Sequence, residues 1–416
     1  MTSRLNNNNT PSATVKFGSA EPPLTVEEAR SESMKQLKAF KFRLMPTTRQ
    51  AADFRRTLGA CRFVWNRALA EQQRRFEAKE KRLSFPAACR ELTTWRQSAE
   101  TPWLATSASA TQQQALKDLE RAFQNLFAKR SRRPRFRRRG DDSAFRFADG
   151  FAVDVVNGRV KVPKLGWVRF RSHRRLEGKP KQMTISSRAG RWYVSIQVEL
   201  EVPEPKHHAP TAAVGVDAGV VHFATLSTGE HLAPLVAFKK HQTRLAWQQR
   251  KLARKQKGSN NSQKQKRIVQ RAHTRMADAR ADFLHKASHR LTRDFGVIAI
   301  EDLEVKSMTR SARGSVEKPG RNVRAKAGLN KALLNHGLGE FRRQLEYKAA
   351  WRGGVVIAVP PHHTSQTCPA CRVVDARSRH SQSEFRCVAC GYEANADVVA
   401  ARNILERAVV AQAAAA

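Results

Sequence analysis

At 416 residues the chain is too long for one compact domain, and a prior of roughly 150 residues per domain predicts about three modules. Apolar residues make up 40% of it, enough for real cores, which excludes wholesale disorder. Lys and Arg number 77 against 36 Asp and Glu, a formal charge of +41, and self-repulsion on that scale points to a polyanionic partner: nucleic acid ahead of a generic anionic surface.

No apolar run approaches the roughly 18 residues that span a bilayer, and no charged-then-apolar signal opens the chain. Neither secretion nor membrane insertion is expected, and cytoplasmic residence is. Residues 1–35, with Asn6–Asn9 and Pro22-Pro23, read as a disordered extension, with a short recruiting peptide as the alternative. Ala39–Leu44 alternates apolar and basic residues, a strand with one wet face closed by Pro46. Residues 48–130 read as helices. Leu58, Phe63, Val64, Trp65, Leu69 and Phe76 recur at helical spacing, and Thr111 can cap a helix carrying Leu116, Leu119, Phe123 and Phe127. These aromatics are assigned to the core, with nucleic-acid stacking as the alternative.

Residues 129–139 hold eight cations in eleven positions, and Pro134 forbids a regular helix. Such density predicts a phosphate-tracking segment rather than an ordinary solvated face. Strands return over 145–200. Asn157-Gly158 predicts a two-residue hairpin, and a second hairpin should turn near Gly190. Short strands at this spacing predict a small barrel that begins at Phe40–Leu44 and carries the helical block as an insertion. Residues 201–210, with Pro203, Pro205 and Pro210, form a linker.

Ala213–Val220 is an apolar strand interrupted by Asp217, and Val297–Ile300 is another that ends in Glu301. Asp397 opens a helix-like segment from Val398 to Arg407. Alone, each acid could be a strand-end ion pair or a helix-dipole partner. Together they could converge on divalent cations, and two ions roughly 4 Å apart stabilise both oxygens in phosphodiester hydrolysis. Hard oxygen ligands suit magnesium. Residues 239–293, with 17 Lys or Arg against two Asp, should form two long helices broken at Gly258–Asn261. Their charge predicts contact with a nucleic-acid backbone, a coiled-coil pair being the alternative.

Cys61 and Cys89 stand alone in helical text. Cys368-x2-Cys371 and Cys387-x2-Cys390, 15 residues apart, have the spacing of a structural zinc ribbon. Four thiolates close the shell, so this metal is not catalytic. His362 and His363 are assigned to a loop rather than to the metal.

On these residues the sequence resembles the transposon-encoded TnpB nucleases. The resemblance rests on Gly215-Val216-Asp217-Ala218-Gly219, Ile298–Leu303 around Glu301, Thr364–Cys371, Cys387–Gly391 and Asp397. Pro134-Arg135-Phe136, Pro163–Gly166 and Phe341–Lys348 lend support, and the likeness spans about residues 36–408. It departs from many relatives at Arg372, where Gly is common, and at Ala396 and Val399, where Arg and Asn are common.

The resemblance implies a multidomain α/β protein: a RuvC-like nuclease domain of RNase H fold with an inserted zinc ribbon, and a wedge β-barrel carrying a helical recognition insertion. The wedge would take residues 36–50 and 130–210, and the recognition insertion 51–129. The nuclease domain would take 211–362 and 394–408, the zinc-bearing target-nucleic-acid-binding module 363–393, and a tail 409–416. The implied activity is RNA-guided cutting of both strands of double-stranded DNA beside a short adjacent motif. Asp217, Glu301 and Asp397 would hold magnesium, two ions in all, and Cys368, Cys371, Cys387 and Cys390 one zinc. The partners would be a guide RNA and double-stranded target DNA, with no membrane; the sequence leaves monomer and dimer open and favours the monomer. Rival readings are a nuclease-dead RNA-guided repressor, a compact type V CRISPR effector and a plain RNA-binding scaffold.

Overall fold

The structure, a computed structural model, describes residues 33–140, 144–203, 212–219, 221–233, 237–381 and 383–414. Most of the expected N-terminal extension and of the proline linker lies outside these residues. Among them, no helix is long and apolar enough to cross a membrane.

The first half is built on a seven-stranded antiparallel sheet. Its strands are β1 (Ser33–Met45), β2 (Ala144–Phe147), β3 (Ala152–Asp154), β4 (Arg159–Val162), β5 (Gly166–Arg171), β6 (Lys179–Arg188) and β7 (Arg191–Pro203), in the order β2-β6-β7-β1-β5-β4-β3. Alternation does the sorting: Phe40, Phe42 and Leu44 point into the core while Lys41 and Arg43 face water. The sheet curls around one core, yet β2 and β3 share no ladder. The expected barrel is therefore an open curled sheet.

Between β1 and β2 come α1 (Thr48–Glu77), α2 (Phe85–Gln97) and α3 (Ser109–Phe127). Helix α1 starts in a capping box between Thr47 and Gln50. Its first turns lay Phe54 against Phe145 and Trp192 of the sheet, and its later turns bury Val64, Trp65 and Leu69 against α2 and α3. One helix thus joins two cores.

Three local expectations change. Thr111 lies inside the first turn of α3, its hydroxyl donating to the Ala108 carbonyl at 2.8 Å, and the N-cap is Ala108. At Asn157-Gly158 the ladder ends at Asp154–Arg159, leaving a four-residue turn. The Asp154 carboxylate closes it early, accepting from the Asn157 backbone, the Asn157 amide and Arg159 at 2.7–3.0 Å. Phe76 and Phe127 do not join the core; they are 73% and 64% exposed.

The second half centres on a mixed sheet of β8 (Ala213–Asp217), β9 (Ala224–Leu226), β10 (His231–Leu232), β11 (Val297–Glu301) and β12 (Val355–Val359), ordered β10-β9-β8-β11-β12. Strands β8, β11 and β12 are parallel, and β9 and β10 antiparallel. Basic helices α4 (Ala237–Ala253) and α5 (Asn260–Asp294) form a hairpin between β10 and β11, closed on Leu245, Val269 and Met276. They pack as a pair and still expose most of their cations.

Short α6 (Val305–Met308), α7 (Val323–His336) and α8 (Leu338–Ala350) precede β12. Leu284 and Leu291 of α5, with Phe341 and Leu345 of α8, cover the sheet face that carries Val214, Val216, Ile298 and Ile300. The other face receives α9 (Ala396–Ala413), which runs past the expected end at Arg407. A small hairpin, β13 (Glu384–Arg386) with β14 (Glu393–Asn395), holds the cysteine segment just before α9.

Candidate active site

Two neighbouring parallel strands end in acids. Val216 pairs with Ile300, so Asp217 and Glu301 stand at adjacent strand ends, roughly 4.8 Å apart in the sheet direction. The apolar residues before them drag both carboxyls partly under the surface. The third acid arrives on α9. Asn395 caps that helix, its side-chain oxygen accepting from the Asp397 and Val398 amides at 3.0 and 3.3 Å. Asp397 thereby falls in the first turn, where the helix dipole favours a carboxylate.

Gly215 makes the close approach possible. A Cβ there would lie 1.9 Å from the Ala401 carbonyl oxygen, so β8 and α9 touch backbone to backbone only because the side chain is absent. Small residues keep α9 close to the sheet, with Ala408 buried against Ala299 and Val359 of the neighbouring strands.

Asp217 bears the electrostatic cost of this arrangement. Asp217 is pushed up to about 7, first by burial and then by the Glu301 and Asp397 charges, with Arg379 opposing. Burial raises Glu301 as well, partly offset by the Thr364 hydroxyl, which donates to it at 2.8 Å, and by the Arg407 charge. The helix that brings Asp397 also fixes these supports. Asn403 donates to the Thr364 and Thr367 carbonyls at 2.8 and 2.7 Å, and Arg407 donates to the Pro360 and His362 carbonyls. Asp302 turns out to Arg342 and takes no part.

Sequence reasoning missed Arg379. Its guanidinium lies 3.7 Å from the Asp397 carboxylate, placing a cation from the cysteine segment among the acids. It is one of four arginines between the knuckles and after Cys371, at 372, 377, 379 and 386, and nothing in their spacing marks it out.

Cys368, Cys371, Cys387 and Cys390 bring their sulfurs within 4.8 Å of one another. Cys368–Cys390 and Cys371–Cys387 are 3.6 and 3.5 Å apart, too far for disulfides. Tetrahedral zinc with bonds of about 2.3 Å needs sulfurs roughly 3.8 Å apart, and this donor set fits it. His362 and His363 are not in the cluster; His363 meets Gln366 at 3.0 Å. Arg372 sits at φ 65°, left-handed backbone that glycine adopts without strain, and its side chain pairs with Glu406 of α9. Ala396 and Val399 are fully buried against Cys368, Phe385 and Cys387, packing helix onto ribbon.

The basic run 129–139 has no regular structure but is anchored to α1. Trp65 donates to the Arg135 carbonyl at 3.0 Å, and Asn66 brackets the Arg137 backbone with bonds of 2.8 and 3.0 Å. Seven of its eight cations remain exposed, because the backbone rather than the side chains is held. A cavity of about 610 Å³, lined by Arg55, Arg62, Arg139, Arg188 and His273, opens between α1, the β6–β7 turn and α5.

A family model described as "Probable transposase", OrfB_IS605, matches residues 195–312, and a Cas12f1-like TNB domain model matches 339–404. A helix-turn-helix model matches 34–81, where the chain forms β1 and the single long helix α1. The chain is 51% identical over 373 residues to InsQ of Escherichia coli (strain K12), named as an RNA-guided DNA endonuclease, covering 89% of this chain and 92% of that one. It is 38% identical over 387 residues to a protein of the same designation from Streptomyces pristinaespiralis, covering 91% and 92%. Its fold matches the protein in a Cas12f1–sgRNA–target DNA complex with a TM-score of 0.53 at 12% identity, over 90% of this chain and 99% of that one.

Proposed function

From the premise that the chain belongs to the OrfB family of transposon-encoded RNA-guided DNA endonucleases, we propose that it cuts double-stranded DNA with magnesium at Asp217, Glu301 and Asp397. A guide RNA would select the target beside a short adjacent motif, and one RuvC-like site would cut both strands. The observation that carries this reading is the placement of Asp217 and Glu301 at adjacent parallel strand ends, with Asp397 opening the helix packed on them. A half-buried carboxyl pushed up to about 7, first by burial and then by the Glu301 and Asp397 charges, would be relieved by a divalent cation.

When bound there, a pair of such ions would supply the Lewis acidity that activates water and stabilises the leaving oxygen. The chain's own groups would do the rest. Asp217 and Glu301, on rigid strand ends, offer fixed oxygen ligands. Thr364 orients Glu301 through its 2.8 Å bond. Arg379 offsets part of the acids' negative charge. Zinc on the four cysteines would set the ribbon, and with it both Arg379 and the start of α9.

The wedge (36–50 and 130–210), the recognition insertion (51–129) and the basic hairpin α4–α5 would hold the RNA and the guide–target duplex through phosphate contacts, leaving sequence to base pairing. The protein would act in the cytoplasm as a monomer. A second reading, a compact type V CRISPR effector, is favoured by the Cas12f1-like match over 339–404. Sequencing the copurifying RNA separates the two: a transposon end supports the first, a repeat-derived RNA the second.

The test is cleavage of a plasmid by protein purified with its RNA. Cutting should need magnesium, and Asp217→Ala should abolish it while guide-dependent DNA binding persists. Wild-type cutting by that variant would refute the site.

A further inference from the structure

We propose that the helical insertion carries a binding site for an unpaired nucleobase, in the cleft walled by Phe76, Phe123 and Phe127. The cleft, of about 540 Å³, opens where the ends of α1 and α3 meet Arg133 and Pro134 of the basic run. Two rings that helical spacing should have buried are open to water instead, Phe76 at 73% and Phe127 at 64%. Leaving two phenylalanines exposed forgoes burial free energy that the neighbouring Trp65 and Trp95 collect.

The rings are arranged for flat partners. Phe123 and Phe127 stack with centroids 6.3 Å apart and planes 27° from parallel. Guanidinium groups edge the cleft: Arg133 lies 5.8 Å from the Phe76 ring, and Arg82 lies 5.7 Å from Phe127 and 6.0 Å from Phe123. An apolar slot rimmed by cations matches a base, whose π-face is apolar and whose backbone is anionic.

Charge complementarity chooses this occupant. Lys129, Arg130, Arg132 and Arg133 are exposed alongside, and the run they begin is anchored just downstream, at Arg135 by Trp65 and at Arg137 by Asn66, so phosphates on that track would bring successive bases to the slot. A second copy meeting the same face would set its own cationic run against this one. Of the two acids at the rim, Glu80 is paired with Arg74 at 2.9 Å, and Glu77 offers an acceptor for an exocyclic amine. The proposal rests on the reading that the chain binds RNA and DNA, but not on the chemistry at Asp217.

The test uses the full chain and two single-stranded RNA probes of equal length and charge, one fully based and one with abasic sites at alternate positions. The wild type should bind the based probe about tenfold more tightly. Phe76→Ser with Phe127→Ser should erase that preference and keep the abasic affinity. Both side chains are exposed, so the melting temperature should hold. Arg132→Ala with Arg133→Ala should weaken both probes.

Equal wild-type affinity for the two probes overturns the site, as does a preference that survives the double Phe variant. Self-association that the double variant abolishes would make a second copy the occupant and also overturn it. So would a preference seen only after residues 1–32 are removed, since the chain's own leading segment would then fill the slot. Guided cleavage with no base preference sinks this proposal alone, whereas base preference without guided cleavage sinks the nuclease reading alone.

Discussion

Asp217 ends an apolar strand among two other carboxyls, and its stability cost has a definite pH signature. Its carboxyl titrates near 7 in the folded chain against 3.8 ordinarily. Between those values the native state keeps a proton that the unfolded state has shed, so stability falls as pH rises from about 4 to about 7 and stays low above. Asp217→Asn should therefore stabilise zinc-loaded, magnesium-free protein at pH 8, by at most about 4 kcal/mol, and raise its melting temperature. The gain should vanish near pH 4, as thermal unfolding at the two pH values would reveal. All three acids were legible as candidates because each ends or opens an otherwise apolar element. Arg379 was not, because its partner is 18 residues away and only the ribbon's fold brings them together.

Helix α9 lies on β8 because Gly215 has no side chain, and the placement of Asp397 beside Asp217 depends on that contact. Gly215→Ala puts a methyl 1.9 Å from the Ala401 carbonyl oxygen, and neither backbone can give way cheaply. It should cost about 3 kcal/mol and impair cleavage more than guide binding, as denaturant melts and a cutting assay would establish. The ribbon makes a parallel case. Cys387→Ser leaves three thiolates, so zinc per chain should fall in elemental analysis and cleavage with it. Strands, long helices and the knuckle spacing were readable from periodicity. The Asn157-Gly158 turn was misread because local carboxylate hydrogen bonds from Asp154 outweigh the two-residue turn preference. The exposure of Phe76 and Phe127 was misread because helical spacing says which side a residue is on, and not whether anything covers that side.

The whole molecule is a curled antiparallel sheet with a helical insertion, a mixed sheet with the acids, and basic tracts on both. A charge of +41 said from the start that the partner is anionic. It could not say that the sheet stays open between β2 and β3, since ladder closure depends on strand positions that alternation does not encode. Binding should be steeply salt-dependent. Replacing Arg132, Arg133, Arg138 and Arg139 with Ala should lower the slope of log affinity against log salt by about 3, at roughly 0.7–0.9 per phosphate contact. Filter binding across a salt series checks this, and an unchanged slope would remove the run from the nucleic-acid path.

If Asp217, Glu301 and Asp397 jointly hold divalent cations, the ions can be seen between them. Anomalous diffraction from crystals soaked in manganese, a stand-in for magnesium, tests it most directly. Manganese within about 2.2 Å of oxygens from all three side chains is the expected result. Manganese bound elsewhere, with the three carboxylates left vacant, would contradict it.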